Sequence, residues 1–227
     1  MIRIGITGTD TGVGKTVVTC GLLASLRRRG LTVAGMKPVE AGDSTTDSSL
    51  IRAAAGSRDA LSDVCPLRFS VPLAPMVAAS LERRVIDTTS LDEPFERLAA
   101  GRDAIVVEGV GGLLVPITAT ESFVTLCSRW DLSVLIVASN RLGAINHILL
   151  TAQAADRAGL VVMGIVLNHL SSAGNDAAQD TNSGAIAVML PGIPILSFPH
   201  IPAGHDISAL ADAVETSGLT ALIAGSD

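Results

Sequence analysis

The chain is poor in aromatic residues and in positive charge. Phe, Tyr and Trp make up 2% of its 227 residues, and tyrosine is absent. Lys and Arg number 16 against 22 Asp and Glu, which gives a formal net charge of −6. A general nucleic-acid surface needs clustered basic side chains, so this balance argues against nucleic acid as a partner. The basic run Arg27–Arg29 ends a predicted helix, where cations suit the helix dipole.

Cysteines and long apolar runs are also scarce. Cys20, Cys65 and Cys127 are far apart and odd in number, so they form no metal-binding spacing and no disulfide framework. We therefore expect a cytoplasmic protein. The first residues lead directly into a predicted strand, so no signal peptide is expected. The apolar stretches have strand length and contain polar interruptions, so we expect no membrane span and no membrane partner.

Short apolar runs alternate with helix-like segments, and 48% of the residues are hydrophobic. The predicted strands are Ile2–Thr7, Thr32–Lys37, Ala104–Glu108, Ser133–Ala138, Val161–Asn168 and Ile193–Phe198. The predicted helices are Val17–Arg29, Ser48–Ala55, Leu91–Ala99, Ile145–Ala158, Ala185–Met189 and Ile207–Ala224. This alternation predicts a single α/β domain over residues 1–227, with a mostly parallel, doubly wound sheet flanked by helices. We expect residues 66–75 to form a loop at the sheet edge and residues 171–183 a polar surface excursion.

A glycine-rich segment joins the first predicted strand to the first predicted helix. It reads Gly8-Thr9-Asp10-Thr11-Gly12-Val13-Gly14-Lys15-Thr16. Backbone N–H groups of such a loop wrap a phosphate chain, and the helix N-terminus favours negative charge. Lys15 would reach the outer phosphates and Thr16 would hold Mg²⁺, so the segment predicts a nucleoside triphosphate site. Thr9 stands where the common pattern has glycine, which makes the loop a variant.

Two charged residues stand at the ends of other predicted strands, and ligands of open α/β sheets bind beyond the carboxyl ends of strands. Glu108 ends a buried run, where an unpaired carboxylate is costly and a bound Mg²⁺ would offset the cost. The alternative is a carboxylate paired with a lysine. Lys37 precedes Pro38, which favours an extended backbone and aims the side chain at the phosphate loop. There it would neutralise charge that develops during phosphoryl transfer; the alternative is a solvated strand-end lysine.

Further candidates have two readings each. Asp47 would complete a Mg²⁺ site with the loop threonine and the strand-end glutamate, or would cap the following helix. Gly109, Gly111 and Gly112 would let the backbone approach phosphate or substrate, or would form only a tight turn. Asn168 would read the adenine edge, or would end a strand. The four histidines show no metal spacing, and no serine elbow or zinc motif is present, so the chemistry would depend on positioning and electrostatics.

Several segments together resemble dethiobiotin synthetase over roughly residues 1–170. They are Thr7–Thr16, Lys37–Val39, Val107–Gly112, Leu142–His147 and the later Asn168. Beyond residue 170 the resemblance continues only in outline, through Ile201–Pro202. It implies a homodimer whose active site lies at the interface. It also implies a reaction of small molecules, in which 7,8-diaminononanoate, CO₂ and ATP with Mg²⁺ give dethiobiotin through a carbamate and its mixed anhydride with phosphate.

The resemblance also implies residue roles. The catalytic residues would be Thr11, Lys15 and Lys37. The nucleotide would be bound by Gly12, Val13, Gly14, Lys15, Thr16, Val17, Asp47, Glu108, Gly109, Val110, Gly111, Asn168, His169, Pro202, Ala203 and Gly204. The substrate would be bound by Lys37, Ala41, Gly111, Gly112, Leu142, Gly143, Ala144 and Asn146. The Mg²⁺ ligands would be Thr16, Asp47 and Glu108.

Two positions depart from the family pattern. Some members have glutamate where Gly12 stands, and many have serine where Ala41 stands. Either Glu40, Ser44 or a water molecule would then replace the serine, or the substrate would bind more weakly.

Two other functions fit the phosphate loop. Switch ATPases of the chromosome- or septum-positioning class carry an extra lysine early in the loop, where this chain has Thr9, Asp10 and Thr11. Amide-forming enzymes of corrinoid synthesis add a glutaminase domain, for which the chain is too short.

Overall fold

The computed structural model describes residues 1–42, 46–171, 177–202 and 206–225. The strands are β1 (Ile2–Gly8), β2 (Val33–Met36), β3 (Val39–Ala41), β4 (Leu67–Phe69), β5 (Ala104–Gly112), β6 (Ser133–Ser139), β7 (Val162–Asn168) and β8 (Ile195–Phe198). The helices are α1 (Lys15–Arg28), α2 (Thr46–Ala54), α3 (Leu61–Val64), α4 (Pro75–Leu81), α5 (Asp92–Ala99), α6 (Phe123–Arg129), α7 (Ala144–Arg157), α8 (Ala177–Met189), α9 (Ile207–Thr216) and α10 (Leu219–Ala224). A 3₁₀ turn, Thr88–Leu91, precedes α5.

The main sheet has the strand order β2-β5-β1-β6-β7-β8, and each recorded pairing in it is parallel. Consecutive residues of β1 and β6 are buried, so helices cover both faces of the sheet. The apolar runs that predicted these strands are thus the core of the fold, and the predicted parallel α/β architecture is confirmed. Because the strands run in one direction, their carboxyl ends share one edge.

A second sheet pairs β3 with β4, also in parallel, and places Glu40 opposite Arg68. The sequence predicts a loop for residues 66–75. That prediction was wrong for Leu67–Phe69, which pair with β3, and for Pro75, which opens α4. Proline fits the first turn of a helix, where its missing N–H is not needed, so here it marks a helix start rather than a loop.

Several further boundaries differ from the sequence prediction. β5 continues to Gly112, so Glu108 lies within the strand and not at its end. The segment Ile207–Ala224, predicted as one helix, forms α9 and α10, because Gly218 adopts a left-handed φ of 80° between them. Residues 177–183, predicted as part of a surface excursion, begin α8. β2 ends at Met36, so Lys37 follows the strand rather than belonging to it. Among the described residues, no helix is both long and apolar enough to cross a membrane.

Candidate active site

The phosphate loop leaves β1 at Gly8 and enters α1 at Lys15. Lys15 Nζ donates a hydrogen bond to the backbone carbonyl of Asp10 across the loop, at 3.1 Å. Gly14 has a φ of 92°, a left-handed conformation that L side chains rarely adopt. A Cβ atom at Gly14 would also lie 2.0 Å from Nδ2 of Asn168. The loop therefore requires glycine at position 14 for two independent reasons.

Lys37 lies between two carboxylates beside this loop. Its Nζ is 2.5 Å from Oε1 of Glu108 and 2.7 Å from Oδ2 of Asp47. Lys37 is 5% exposed and Glu108 0% exposed, so this ion pair is buried. Thr16 Oγ1 donates to the same Glu108 oxygen at 2.9 Å. The structure thus brings four predicted site residues into direct contact, and the Glu108–lysine pair foreseen as an alternative is present.

The two lysines of the site have opposite pKa shifts. Burial lowers the pKa of Lys15 below its ordinary value of 10.5, and the nearby charge of Glu108 offsets this only in part. Burial also acts to lower the pKa of Lys37, but Glu108 and Asp47 outweigh it, and the pKa of Lys37 is raised. Lys37 therefore keeps its positive charge to higher pH than Lys15 does.

The second oxygen of Glu108 has no hydrogen-bond partner among the described residues. Oε2 is buried, and an unsatisfied buried carboxylate oxygen costs free energy. No group of three or more His, Cys, Asp or Glu side chains in the described part of the chain could hold a metal ion by itself. Magnesium, however, takes only one or two carboxylates and completes its shell with phosphate and water oxygens. The unpartnered Oε2, the Thr16 hydroxyl and the half-exposed Asp47 carboxylate fit that ion.

A cavity of about 650 Å³ adjoins these residues. The predicted site residues that line it are Thr11, Gly12, Gly14, Lys15, Thr16, Val17, Lys37, Ala41, Asp47, Glu108, Val110 and Gly111. Glu40, named above only as a replacement for the absent serine, also lines it. The sequence assigned no site role to four further lining residues, Pro72, Leu73, Ala74 and Val115. Three prolines in residues 66–75 predict a loop, and nothing in that pattern indicates that part of the segment lines the phosphate site.

Other predicted site residues do not line this cavity. Gly109 faces the ring of Phe123, and a Cβ atom there would lie 2.5 Å from it, so this glycine allows close packing of α6. Leu142, Gly143 and Asn146 are exposed around the start of α7, and Ala144 is buried as its first residue. Val13, Gly112, Asn168, His169 and Pro202 also lie outside the cavity lining. Ala203 and Gly204 lie outside the described residues, as does Ser44.

A network of amide and imidazole side chains occupies the ends of β6 and β7. Asn168 Nδ2 donates to the carbonyl oxygen of Val13 at 2.9 Å, which links β7 to the phosphate loop. His169 Nε2 lies 3.2 Å from Nδ2 of Asn140, whose Oδ1 accepts a bond from Asn182 at 2.8 Å. Sequence reasoning identified Asn168 and His169 but not the other two. Asn140 directly follows β6, and this position at a strand end was the indication that could have identified it.

The fold and the phosphate loop define the class of protein. A family model described as an AAA domain matches residues 3–209. The septum site-determining protein MinD of Pyrococcus horikoshii, solved with Mg-ADP, has a similar structure. The match covers 99% of this chain and 98% of the MinD chain, with a TM-score of 0.59 and 17% identity. The cell division protein FtsY of Thermotoga maritima is also similar. That match covers 94% of this chain and 68% of the FtsY chain, with a TM-score of 0.53 and 19% identity. The chain has the P-loop nucleoside-triphosphatase fold.

Sequence relatives narrow that class. An ATP-dependent dethiobiotin synthetase of Anaeromyxobacter sp. (strain K) is 43% identical over 87% of this chain and 89% of its own. A homologue of the same name from Aquifex aeolicus is 40% identical over 88% of this chain and 90% of its own length. Another, from Yersinia pestis, is 38% identical over 85% of this chain and 84% of its own length. The chain belongs to the dethiobiotin synthetase family of ATP-dependent ligases, as its motifs indicated.

Proposed function

We propose that the protein converts 7,8-diaminononanoate, CO₂ and ATP to dethiobiotin, ADP and phosphate, in the cytoplasmic pathway to biotin. The observation that carries this proposal is the buried Lys37 beside the phosphate loop, where it is held by Glu108 and Asp47. A phosphate loop alone accounts for nucleotide binding. A second lysine in a cavity next to it, whose positive charge is stabilised by two carboxylates, supports transfer of the phosphoryl group to a small anionic acceptor.

The proposed reaction has three bond-forming steps. One amine of diaminononanoate attacks CO₂ and loses a proton, which gives a carbamate. A carbamate oxygen attacks the γ-phosphorus of ATP, and ADP leaves. The second amine then attacks the carbamate carbon, loses a proton and displaces phosphate, which closes the cyclic urea. Both nucleophilic nitrogens belong to the substrate, so no protein nucleophile is required.

The protein's contribution is charge and orientation. Lys15 and Lys37 would face the outer phosphates and the carbamate, where negative charge develops as the phosphoryl group moves. Thr11, exposed on the loop, would orient the carbamate. Thr16, Asp47 and Glu108 would hold Mg²⁺, which neutralises charge on the phosphate oxygens when bound. With Lys37 already paired to both carboxylates, the site has its charges in place before substrate binds.

The remaining roles belong to residues in and around the cavity. The loop from Gly12 to Val17 would wrap the phosphates, and Asn168, His169 and the residues near Pro202 would surround adenine. Gly111 and Gly112 would contact the substrate along β5. The segment from Leu142 to Asn146 would bind the substrate carboxylate of a neighbouring subunit in a homodimer. Two observations support this last role: the segment starts a 14-residue helix, and it lines no part of its own chain's cavity.

One assay tests the proposal. The protein is incubated with diaminononanoate, bicarbonate, ATP and Mg²⁺, and dethiobiotin and ADP are quantified. We expect equal amounts of the two products, and no ADP above background when diaminononanoate is omitted. ADP release that is the same with and without diaminononanoate, with no cyclic urea formed, would overturn the proposal and favour a switch ATPase.

A further inference from the structure

Glu40 is a buried carboxylate whose hydrogen bonds all point toward one helix. It lies in the middle of β3 and is 6% exposed. Its Oε1 accepts the backbone N–H groups of Asp47 at 3.0 Å and Ser48 at 3.2 Å. Its Oε2 accepts the Ser48 hydroxyl at 2.7 Å. Both carboxylate oxygens are thus engaged within the protein, although Glu40 lines the active-site cavity.

These bonds fix the start of α2. The first N–H groups of a helix have no partner within it, and a carboxylate is favoured there by both hydrogen bonding and the helix dipole. Asp47 is the second residue of α2, so the bond to its amide fixes its backbone and the direction of its side chain. That side chain accepts the hydrogen bond from Lys37 at 2.7 Å. Glu40 therefore acts on the charged site through Asp47.

The small sheet supports this arrangement from behind. The pairing of β3 with β4 places Arg68 opposite Glu40. Arg68 Nη2 donates to the Ser48 hydroxyl at 3.1 Å, while that hydroxyl donates to Glu40. The side chain of Asp47 itself is 41% exposed, so packing holds it only weakly. Its position therefore depends on its backbone and on the pair with Lys37.

We propose that Glu40 is a positioning residue that holds Asp47 in place for the bound divalent cation and thereby sets the Mg²⁺ requirement of the enzyme. This inference rests on the proposed function, which assigns Asp47 to Mg²⁺. Residues that orient metal ligands typically change metal affinity by about 10- to 100-fold when they are replaced. In this inference Glu40 is the residue that orients Asp47.

The test compares Glu40→Ala and Glu40→Gln with a matched control, Asp87→Ala. Asp87 also accepts a backbone N–H and a hydroxyl at a helix start, both from Thr89, but lies outside the cavity lining. Two quantities are measured for each variant. The first is the Mg²⁺ concentration that gives half-maximal dethiobiotin formation. The second is the calorimetric affinity for ADP with and without Mg²⁺.

We expect Glu40→Ala to raise the half-maximal Mg²⁺ concentration about tenfold or more and to reduce the gain in ADP affinity that Mg²⁺ gives. ADP affinity without Mg²⁺ should change little. Glu40→Gln keeps one acceptor oxygen for the two backbone N–H groups and should show a smaller shift. Asp87→Ala should match the wild type. A loss in Glu40→Ala that is equal with and without Mg²⁺ would show only a structural role and overturn the inference.

Two further outcomes are covered. If Glu40→Ala does not fold, Glu40→Gln alone decides, because wild-type Mg²⁺ dependence in that folded variant contradicts the inference. If the wild-type protein forms no dethiobiotin, the proposed function fails, but the calorimetric titration of ADP with Mg²⁺ still tests Glu40.

Discussion

The carboxyl edge of the main sheet has two ends of different chemical character. The charged end, beside β1, β2 and β5, consists of Lys37, its contacts Asp47 and Glu108, and Lys15, whose charge interacts with theirs. The neutral end, at β6 and β7, is built on amides: Asn140 contacts Asn182 and the ring of His169, and its backbone N–H donates to the carbonyl oxygen of Asn168. The hydrogen bond from Asn168 to the carbonyl oxygen of Val13 connects them.

This difference indicates which part of a bound nucleotide each end would bind. Buried charges cost desolvation free energy and are retained where another charge must be stabilised, such as a transferred phosphoryl group. Buried amides carry no net charge and offer donors and acceptors in fixed directions, which suits recognition of a base edge. Changes at the charged end should therefore reduce turnover, and changes at the neutral end should reduce nucleotide affinity.

The largest expected effect belongs to Lys37→Ala. Loss of a group that stabilises charge in the transition state typically reduces turnover by about 100- to 1,000-fold, and we expect a loss of this size in dethiobiotin formation. ADP affinity, which depends on the phosphate loop, should fall far less. Glu108 would lose its buried partner, so the free energy of unfolding should also decrease by about 3–5 kcal/mol.

Dethiobiotin formation, ADP calorimetry and thermal melting measure these three quantities. Arg97→Ala is the control, since it removes a cation from a partly exposed ion pair with Asp63. It should leave turnover unchanged and cost at most about 1 kcal/mol. Wild-type turnover in Lys37→Ala would show that the charged end is not needed for the reaction.

A second prediction tests the connection between the two ends. Gly14 and Gly12 both have left-handed φ values, of 92° and 76°. An added Cβ atom at Gly14 would lie 2.0 Å from Asn168 Nδ2, whereas at Gly12 nothing lies within 4 Å. Gly14→Ala and Gly12→Ala thus share the backbone strain, and only the first displaces Asn168.

We expect Gly14→Ala to bind ADP about tenfold more weakly than Gly12→Ala, because it also breaks a buried hydrogen bond. Calorimetry on the two purified variants measures the difference. Equal affinities would mean that the contact between Asn168 and the loop does not matter for the nucleotide.

The neutral end is tested by Asn168→Ala. This change removes the donor to the Val13 carbonyl and, in the proposed function, a contact with adenine. We expect ADP affinity to fall about tenfold while turnover at saturating ATP stays within about threefold of wild type. Gln153→Ala, an exposed change on α7, is the control and should alter neither quantity. A turnover loss as large as that of Lys37→Ala would contradict the division between the two ends.

The charged end was largely predictable from the sequence, whereas only Asn168 and His169 of the neutral end were. A phosphate loop has a fixed spacing because its geometry is fixed, so Lys15 and Thr16 can be identified from local sequence alone. Glu108 and Lys37 end predicted strands, and parallel strands bring their ends to one edge. Asn140 and Asn182 meet only because α8 packs near the end of β6, a long-range contact without a local pattern.

The role of Glu40 could not be predicted for a related reason. A glutamate in a three-residue strand gives no indication that it caps a helix beginning six residues later. The pairing of β3 with β4 was also missed, because three-residue strands are too short to show alternation. Short elements that line a site are thus the part of the fold that sequence periodicity leaves out.

The smallest expected effect concerns the two lysines, which are the only lysines in the chain. Their exposures are nearly equal, at 7% for Lys15 and 5% for Lys37, so access does not distinguish them. Their pKa shifts do. Burial lowers the pKa of Lys15 below 10.5, whereas Glu108 and Asp47 outweigh burial at Lys37 and raise its pKa. As pH rises toward 10.5, Lys15 therefore loses its proton first.

Only a neutral amine reacts with an acylating reagent, so at about pH 9 Lys15 should be labelled several-fold faster than Lys37. Peptide mass spectrometry measures both sites in one sample, and the α-amino group serves as an internal reference. Bound Mg-ADP should protect Lys15, and ADP affinity should weaken as pH rises through the lowered pKa of Lys15, before 10.5 is reached. Faster labelling of Lys37 would mean that its two carboxylates do not keep it protonated. The charged end would then lack the positive charge on which the proposed phosphoryl transfer depends.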